Sequence, residues 1–323
     1  MLFRSRQHLA RLLSDHHLAS PGAETTHLRV DLGSWRLRWE MHTEFVSWTF
    51  MREAKDDALS QTEPPTALQV VPQDWLQALP GSALAKLHLW AMPARALDNG
   101  NFARILQEDS LVASTLSDGQ AEIHTDFQIH ADGFSRMVLF VGSVTPRRTG
   151  RIVQQLLEIE TYRMAAMLGL PAARQAGAAL SDAERELAEL AQAIRSADRS
   201  SEAALLDRLT TLAGQVEGQY AATHSRFSAT KAYFELVDRR IHDIRESRLA
   251  GQQTIAEFMD RRLSPARSTC EWAVRRQTAL SERVSRMSNL LRTRVELEQQ
   301  QSSQDLLSAM NRDRKSTRLN SSH

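Results

Sequence analysis

The carboxy-terminal part of the chain, from about Tyr220 to Arg312, carries an apolar repeat that strongly limits how the chain can fold. Its core positions alternate at spacings of three and four residues over almost four heptads: Tyr220, Thr223, Phe227, Thr230, Phe234, Val237, Ile241 and Ile244. A repeat of about 3.5 residues forms a narrow seam that is buried only against another helix. A second run follows Pro265: Leu280, Val284, Met287, Leu291 and Val295. The pattern predicts long packed helices, arranged either as a folded-back bundle or as an extended coiled-coil stalk.

Composition places the chain among folded proteins with a mixed surface. The 323 residues allow about two domains, and a formal net charge of +1 argues against general nucleic-acid binding, so we expect no nucleic-acid partner. The single cysteine, Cys270, excludes an internal disulfide framework and fits a reducing compartment. The longest apolar run, Met137–Val141, is far shorter than the roughly 20 residues that span a bilayer. We therefore expect the chain as written to be soluble.

The first part of the chain alternates apolar and polar residues in short segments, which is typical of β-strands. After a short helix within residues 1–20, we predict five to seven strands within these segments: Thr26–Leu32, Trp35–Met41, His42–Phe50, Leu84–Met92, Ser110–Leu116, Gln120–His130 and Gly133–Val141. Regular alternation of strands with helices is missing from this part of the sequence. The pattern therefore predicts a mainly antiparallel α+β domain over residues 1–144.

The sequence after residue 144 predicts helices alone. Thr145 and Pro146 are suited to the N-cap and the first helical position, and the apolar spacing carries this helix to about Met167. We expect it to end at Gly169-Leu-Pro171, and the capping box Ser181–Glu184 to open the next helix. The predicted fold class is α+β, with the amino-terminal domain followed by an all-α helical bundle or coiled-coil stalk over residues 145–312.

The last eleven residues, 313–323, can be back-translated into a string that resembles a sequencing adapter ligated to DNA library fragments. One of only four lysines in the chain, Lys315, lies in this short segment. We interpret residues 313–323 as translated adapter and not native protein, and we exclude them from fold reasoning. The natural protein is then expected to continue beyond Arg312.

The candidate site residues are His124, Asp126 and His130, which occupy alternate positions of a predicted strand. Alternate positions share one face, so the three side chains could converge on a cation. Imidazole and carboxylate are common metal ligands, but this spacing matches no established signature. The alternative is a half-solvated strand face that ends in a turn at Asp132-Gly133. A metal-dependent enzyme using these three residues is one hypothesis that the sequence leaves open.

Other catalytic signals are absent from the sequence. It contains no G-x-S-x-G elbow, H-E-x-x-H pair or Walker loop, and no cysteine–histidine cluster with zinc-like spacing. Cys270 has no histidine nearby in sequence, which favours an inert thiol. We therefore infer no catalytic activity and expect no cofactor.

Three separated motifs resemble those of a bacterial protein family: Ile123–Arg136, Thr145–Arg163 and Ser288–Arg294. The family is one of uncharacterised membrane-anchored proteins with a domain of unknown function, and the resemblance covers about residue 26 to Arg312. At the start, Asp15–Pro21 departs from the Glu-x-His-Ala-Arg-Pro-like piece of the family. The resemblance implies a carboxy-terminal membrane hairpin after Leu306–Asn311, missing from this chain, and it assigns no activity.

The favoured hypothesis is a membrane-anchored protein at the cytoplasmic face of the bacterial inner membrane, with a cytosolic sensor or scaffold domain on a helical stalk. Between Arg239 and Arg294 the sequence has thirteen arginines and six acidic residues, and such an excess is typical of the cytoplasmic side of a membrane. By layout alone the chain also resembles CorA-type divalent-cation transporters. An oligomeric transporter or channel, assembled as a homo-oligomer through the stalk, is therefore the second hypothesis.

Overall fold

A computed structural model describes residues 2–61, 63–99, 104–196 and 201–320. The chain divides into two compact units, each made of two separate segments. The first unit contains residues 1–164 and 235–261, and the second contains residues 165–234 and 262–323. The observed architecture confirms the α+β class, whereas the predicted domain limits at 144 and 145 stay a prediction.

Within the described ranges, most strands lie before residue 145 and the long helices lie after it, as predicted. The strands are β1 His27–Asp31, β2 Arg36–Met41, β3 Val46–Met51, β4 Leu87–Pro93, β5 Val112–Leu116, β6 Ala121–Thr125, β7 Ser135–Val141 and β8 Ser247–Arg248. The α-helices are α1 Leu2–Asp15, α2 Gln73–Gln77, α3 Pro146–Met167, α4 Gly169–Ser196, α5 Glu202–Asp243 and α6 Ile255–Asn320.

The first unit contains a three-stranded antiparallel sheet in the order β1-β2-β3. Period-two alternation in β2 places Leu37 and Trp39 on one face, where they pack in one cluster with Leu9, Leu12 and Leu13 of α1. The opposite face of β2 carries its charged residues. One side of this sheet is therefore core, and the other is polar.

The second sheet of this unit has the order β4-β7-β6-β5-β8. Its pairs are antiparallel except β4 with β7, which run parallel, so the sheet is mixed. Val138 and Phe140 of β7 pack in one cluster with Trp90 and Met92 of β4. The expectation of no strand after residue 145 is wrong, because residues 247–248 pair with β5 between two helices.

The second unit is a bundle in which α4, α5 and α6 share one hydrophobic core. Its buried members come from all three helices: Leu180, Leu187, Leu190, Leu205, Leu209, Leu212, Val216, Leu280, Val284 and Leu291. In the predicted heptad seam, Phe227, Thr230 and Phe234 are buried in this unit. Of the two arrangements that the repeat left open, the described residues form the folded-back bundle.

The junction between α3 and α4 differs from the prediction. Only Leu168 separates the two helices, and α4 begins at Gly169 with Pro171 in its first turn, where a missing N–H costs little. The expected helix start at Ser181 is wrong, since Ser181 lies inside α4 and its hydroxyl donates to the carbonyl of Gly177 at 3.0 Å. None of the described helices combines the length and the apolar character needed to cross a membrane.

Candidate functional site

His124 lies in β6, and its partner is not the one that the sequence suggested. Its ring is buried, and Nε2 lies 2.5 Å from a carboxylate oxygen of Glu122, two positions earlier on the same strand face. The ring also meets Phe140 edge-on, with 5.8 Å between the ring centroids. Burial lowers the pKa of His124, although the Glu122 carboxylate acts in the opposite direction. His124 is therefore a neutral imidazole held by one carboxylate near pH 7.

Asp126 and His130 form a separate contact in the loop that follows β6. The carboxylate of Asp126 is fully buried and accepts hydrogen bonds from the backbone N–H groups of Gln107 at 2.8 Å and Gln128 at 3.0 Å. Nε2 of His130 lies 2.8 Å from the same carboxylate. Both carboxylate oxygens thus have partners, and the chemistry of Asp126 here is to fix the backbone of two loops.

The predicted convergence of His124, Asp126 and His130 on a cation is not found. The strand expected to reach His130 ends at Thr125, because Phe127 adopts a φ of 51°, in the left-handed region that interrupts extended backbone. The alternation that would align the three side chains is lost there. Among the described residues no group of three or more histidine, cysteine or acidic side chains could hold a metal ion. The half-solvated alternative also fails, since His124 and Asp126 are buried.

The far end of this loop is held by a second cluster around Phe134. The ring of His88, from β4, stacks on Phe134 with 4.1 Å between centroids, and the Lys86 ammonium lies 5.2 Å from the same ring centroid. Burial lowers the pKa of His88 to about 4. Asp132 accepts hydrogen bonds from the N–H of Phe134 at 3.0 Å and from Arg136 at 3.1 Å. These contacts join the loop to β4 and to the residue before it, and burial leaves His88 uncharged near pH 7.

The thiol of Cys270 lies in the second unit and is buried. It packs in one cluster with Ala173, Ala176, Phe227 and Ala273 from three helices. Burial is the main cause that raises the pKa of this thiol. A thiol with a raised pKa is a poor nucleophile, so Cys270 acts as a small apolar core residue.

The polar face of the three-stranded sheet carries three arginines that the sequence analysis did not single out. Arg29 of β1 lies directly opposite Arg38 of β2, and Arg36 lies two positions from Arg38 on the same face. Arg38 is 2.5 Å from Glu40, whereas Arg36 is 3.6 Å from Asp31. Among the described residues no carboxylate forms an ion pair with Arg29. The signal in the sequence was the alternation of Arg36, Arg38 and Glu40, which places three charges on one strand face.

A cavity of about 650 Å³ adjoins this face within the first unit. Arg36 and Arg38 line one side of it, together with Thr49 and Met51 of β3. The other walls are largely apolar and come from β4, the end of β7 and the first turns of α3: Ala91, Pro93, Val141, Val144, Val153 and Leu157. A smaller cavity of about 450 Å³ is lined by Arg29 and shares Arg38 with the first. The larger cavity is therefore lined by arginine side chains on one side and by mainly apolar side chains on the others.

Helix α6 is largely exposed from residue 296 to residue 310. Val295 is the last residue of the helix that packs on the core of the second unit, and just before it Arg294 forms an ion pair with the buried Glu202. Beyond this point the apolar side chains of Leu297, Leu306, Leu307 and Met310 are exposed, Leu306 to 64%. Clustered exposed apolar side chains are typical of interaction segments.

Fold and sites together define the class of protein, an α+β unit combined with a bundle of long helices. The chain matches the family described as "Protein of unknown function (DUF3422)" over residues 3–321, and it belongs to that family. No curated protein and no solved structure matches the chain. Membership of a family with a domain of unknown function is thus confirmed. The membrane anchor and the adapter origin of residues 313–323 stay predictions, and the matched range includes most of that last segment.

Proposed function

We propose that this protein is a non-enzymatic, membrane-anchored protein whose α+β unit serves as a cytosolic sensor or scaffold. In this proposal the helical unit leads to a bacterial inner membrane through sequence that follows the described residues. The observation that carries the proposal is the exposed apolar segment of α6 between Leu297 and Met310. A sensor or scaffold domain presents binding surfaces, and the first unit offers a polar sheet face beside a cavity.

The geometry of α6 supports an approach to a membrane. At about 1.5 Å per residue, the segment from Val295 to Met310 extends roughly 20 Å beyond the last contact with the bundle core. Leu306, Leu307 and Met310 follow a spacing that places them on adjacent positions of one helix face. Arg292 and Arg294 precede them at exposed positions. Arginines followed by an apolar face fit the cytoplasmic boundary of a bilayer.

The test uses the intact gene and the native host. We expect the uncontaminated 3′ end to encode apolar helices beyond Arg312, and the native protein to sediment with membranes, to resist a high-salt wash and to dissolve in mild detergent. Electrostatic adsorption alone would be released by salt, because exposed charges are screened. A stop codon soon after Arg312, together with recovery in the supernatant, would contradict the proposal.

A homo-oligomer assembled through the helical unit is part of the same proposal. Light scattering of the detergent-solubilised protein measures its mass. An oligomer would support assembly through the helices, which the transporter hypothesis also requires. A strictly monomeric protein would contradict both the homo-oligomer and the transporter hypothesis. The membrane anchor would still be tested by the fractionation experiment.

A further inference from the structure

We propose that the first unit binds a single-chain amphiphile with an oxyanion head group, a carboxylate or a phosphate monoester. The head would lie among Arg29, Arg36 and Arg38, and the apolar chain would occupy the adjoining cavity of about 650 Å³. This site lies entirely in the first unit. It does not depend on the membrane anchor, so the two proposals can fail separately.

The charge arrangement of the sheet face calls for an anion. Arg29 and Arg38 lie directly opposite each other on antiparallel strands, and like charges in that position repel at short range. A guanidinium has five N–H donors in a planar fork, so Arg38 can hold Glu40 on one side and a second oxyanion on the other. An oxyanion between the two arginines would accept charge-assisted hydrogen bonds from both guanidinium groups and offset their repulsion.

Neighbouring carboxylates lie beside Arg36 and Arg38, whereas among the described residues none forms an ion pair with Arg29. Asp31 lies opposite Arg36 with its carboxylate 3.6 Å away, and Glu53 also lies 3.6 Å from Arg36. Both carboxylates are largely exposed, and such loose pairs contribute little. His27 opposes Glu40 on the same face. The described charged groups at this surface therefore include the three arginines, the sheet carboxylates Asp31 and Glu40, and Glu53 at the edge. Glu158 of α3 lies near Glu40 and forms an ion pair with Arg240.

The apolar walls select against a purely ionic ligand. A cavity of about 650 Å³ is within the range of about 300–1,000 Å³ typical of small-molecule sites, which combine apolar lining with few polar groups. Val153 and Leu157 of α3 line one side, and Met51 lines another. Methionine adapts to irregular apolar chains. Inorganic phosphate could use the arginines but would leave these walls exposed, whereas an amphiphile covers both.

The concave shape favours a free amphiphile over a lipid in a bilayer. Residues of two sheets and of α3 line the cavity, which is widely open to solvent, and one extended chain can follow this lining more closely than the flat surface of a bilayer can. We therefore expect the ligand to be a monomer in solution. Vesicles that contain an anionic lipid serve as the competing arm of the test.

The experiment is titration calorimetry on the full chain with decanoate and with decyl phosphate, both below their micelle concentrations. We expect binding of one molecule per chain, with decanol and inorganic phosphate each binding at least about tenfold more weakly, since each lacks one half of the recognition. Equal affinity for decanol would overturn the role of the arginines. Binding to phosphatidylglycerol vesicles without binding of the monomers would overturn the choice of ligand.

Two variants test the site itself. Arg29→Gln with Arg36→Gln removes two cations, and we expect affinity for decanoate to fall at least about tenfold, as for the loss of a charge-assisted hydrogen bond. Met51→Glu places a carboxylate opposite Arg36, and it should compete with the head group to the same extent. Arg4→Gln, at an exposed position of α1, is the matched control and should bind like the wild type.

Thermal unfolding distinguishes a lost site from a lost fold. Both test variants reduce cationic repulsion on the sheet face, so their melting temperatures should equal or exceed that of the wild type. Weak binding with an unchanged or raised melting temperature supports the proposal. Wild-type affinity in both variants would overturn it.

Discussion

At the scale of single residues, the backbone of Gly169 in α4 lies close to the side chain of Thr230 in α5. A Cβ added at Gly169 would lie 3.0 Å or less from three atoms of the Thr230 side chain. Because cores resist added volume, we expect Gly169→Ala to destabilise the protein by about 1–3 kcal/mol. Denaturant unfolding measures the change. Gly218→Ala, where an added Cβ meets nothing within 4 Å, is the control and should not lose stability.

The contact between an added Cβ at Gly169 and Thr230 can also be relieved by shortening the Thr230 side chain. The buried hydroxyl of Thr230 has no hydrogen-bond partner among the described residues, so Thr230→Ala removes atoms and no bond. We expect the Gly169→Ala change to cost little in a Thr230→Ala background. Equal costs in both backgrounds would show that the loss does not come from this contact.

His88 gives the molecule a pH dependence that follows from its burial. Its pKa falls from an ordinary value of 6.5 to about 4 in the folded protein. Protonation thus favours the unfolded state, and the stability held by the neutral ring is present above pH 6.5 and is lost as the pH falls toward 4. At about 1.4 kcal/mol per pKa unit, with allowance for partial exposure, the loss is on the order of 1–3 kcal/mol.

The measurement compares unfolding free energies at pH 7 and pH 4.5. His88→Gln should be less stable at pH 7, because the stack on Phe134 is lost, but it should lose less stability than the wild type on acidification. His242→Gln, at an exposed position of α5, is the control and should keep the wild-type pH dependence. An unchanged pH dependence in His88→Gln would assign the effect to other buried histidines, such as His124.

At the scale of elements, two adjacent leucines of α6 test whether the helix belongs to a bundle. Leu291 is 2% exposed and lies in the shared core, whereas Leu290 is 74% exposed. We expect Leu291→Ala to cost about 2–5 kcal/mol, as for a fully buried leucine. Leu290→Ala should stay within about 0.5 kcal/mol of the wild type. Equal effects, measured by denaturant unfolding, would contradict the packing of α6 on α4 and α5.

Helices and strands that follow a local apolar repeat were predictable from the sequence. The heptad seam requires another helix wherever it lies, and Phe227, Phe234, Val237 and Ile244 are buried as the repeat predicted. The observed helix α3, Pro146–Met167, has the predicted bounds because proline fixes its start. Period two also located β1 to β7. Such patterns depend on neighbours in the sequence, so one sequence suffices to detect them.

Contacts between distant segments were not predictable in this way. The parallel pairing of β4 with β7 depends on which strands become neighbours, and periodicity does not contain that information. The sequence leaves Asp126 as a candidate metal ligand, because its backbone partner, Gln107, lies in another loop and cannot be found from the local pattern. The opposition of Arg29 and Arg38 follows from strand register, which the turn at Gly33 sets. Each miss concerns a partner that the folded chain supplies.

At the scale of the whole molecule, the first unit is completed by a segment far along the sequence. Residues 235–261 belong to it, and β8 within this segment pairs with β5. Glu246 accepts hydrogen bonds from Ser114 at 2.9 Å and from the first N–H groups of α6, at Ile255 and Ala256. Such an acceptor satisfies donors that a helix start otherwise leaves open. The predicted domain 1–144 therefore lacks contacts that the first unit uses.

This arrangement predicts that the fragment 1–144 does not fold on its own. The fragment would lose Phe258, whose ring stacks on Phe127 with 4.6 Å between centroids, and the buried residues Ile152, Leu156 and Ile159 of α3. Removal of each large buried apolar side chain costs about 2–5 kcal/mol, and a domain is stable by only about 5–15 kcal/mol. Near-ultraviolet circular dichroism and thermal unfolding should therefore show no fixed tertiary structure and no cooperative transition. A cooperative transition in this fragment would instead support a domain limit at residue 144, and it would make residues 235–261 an accessory to a sheet that is already stable.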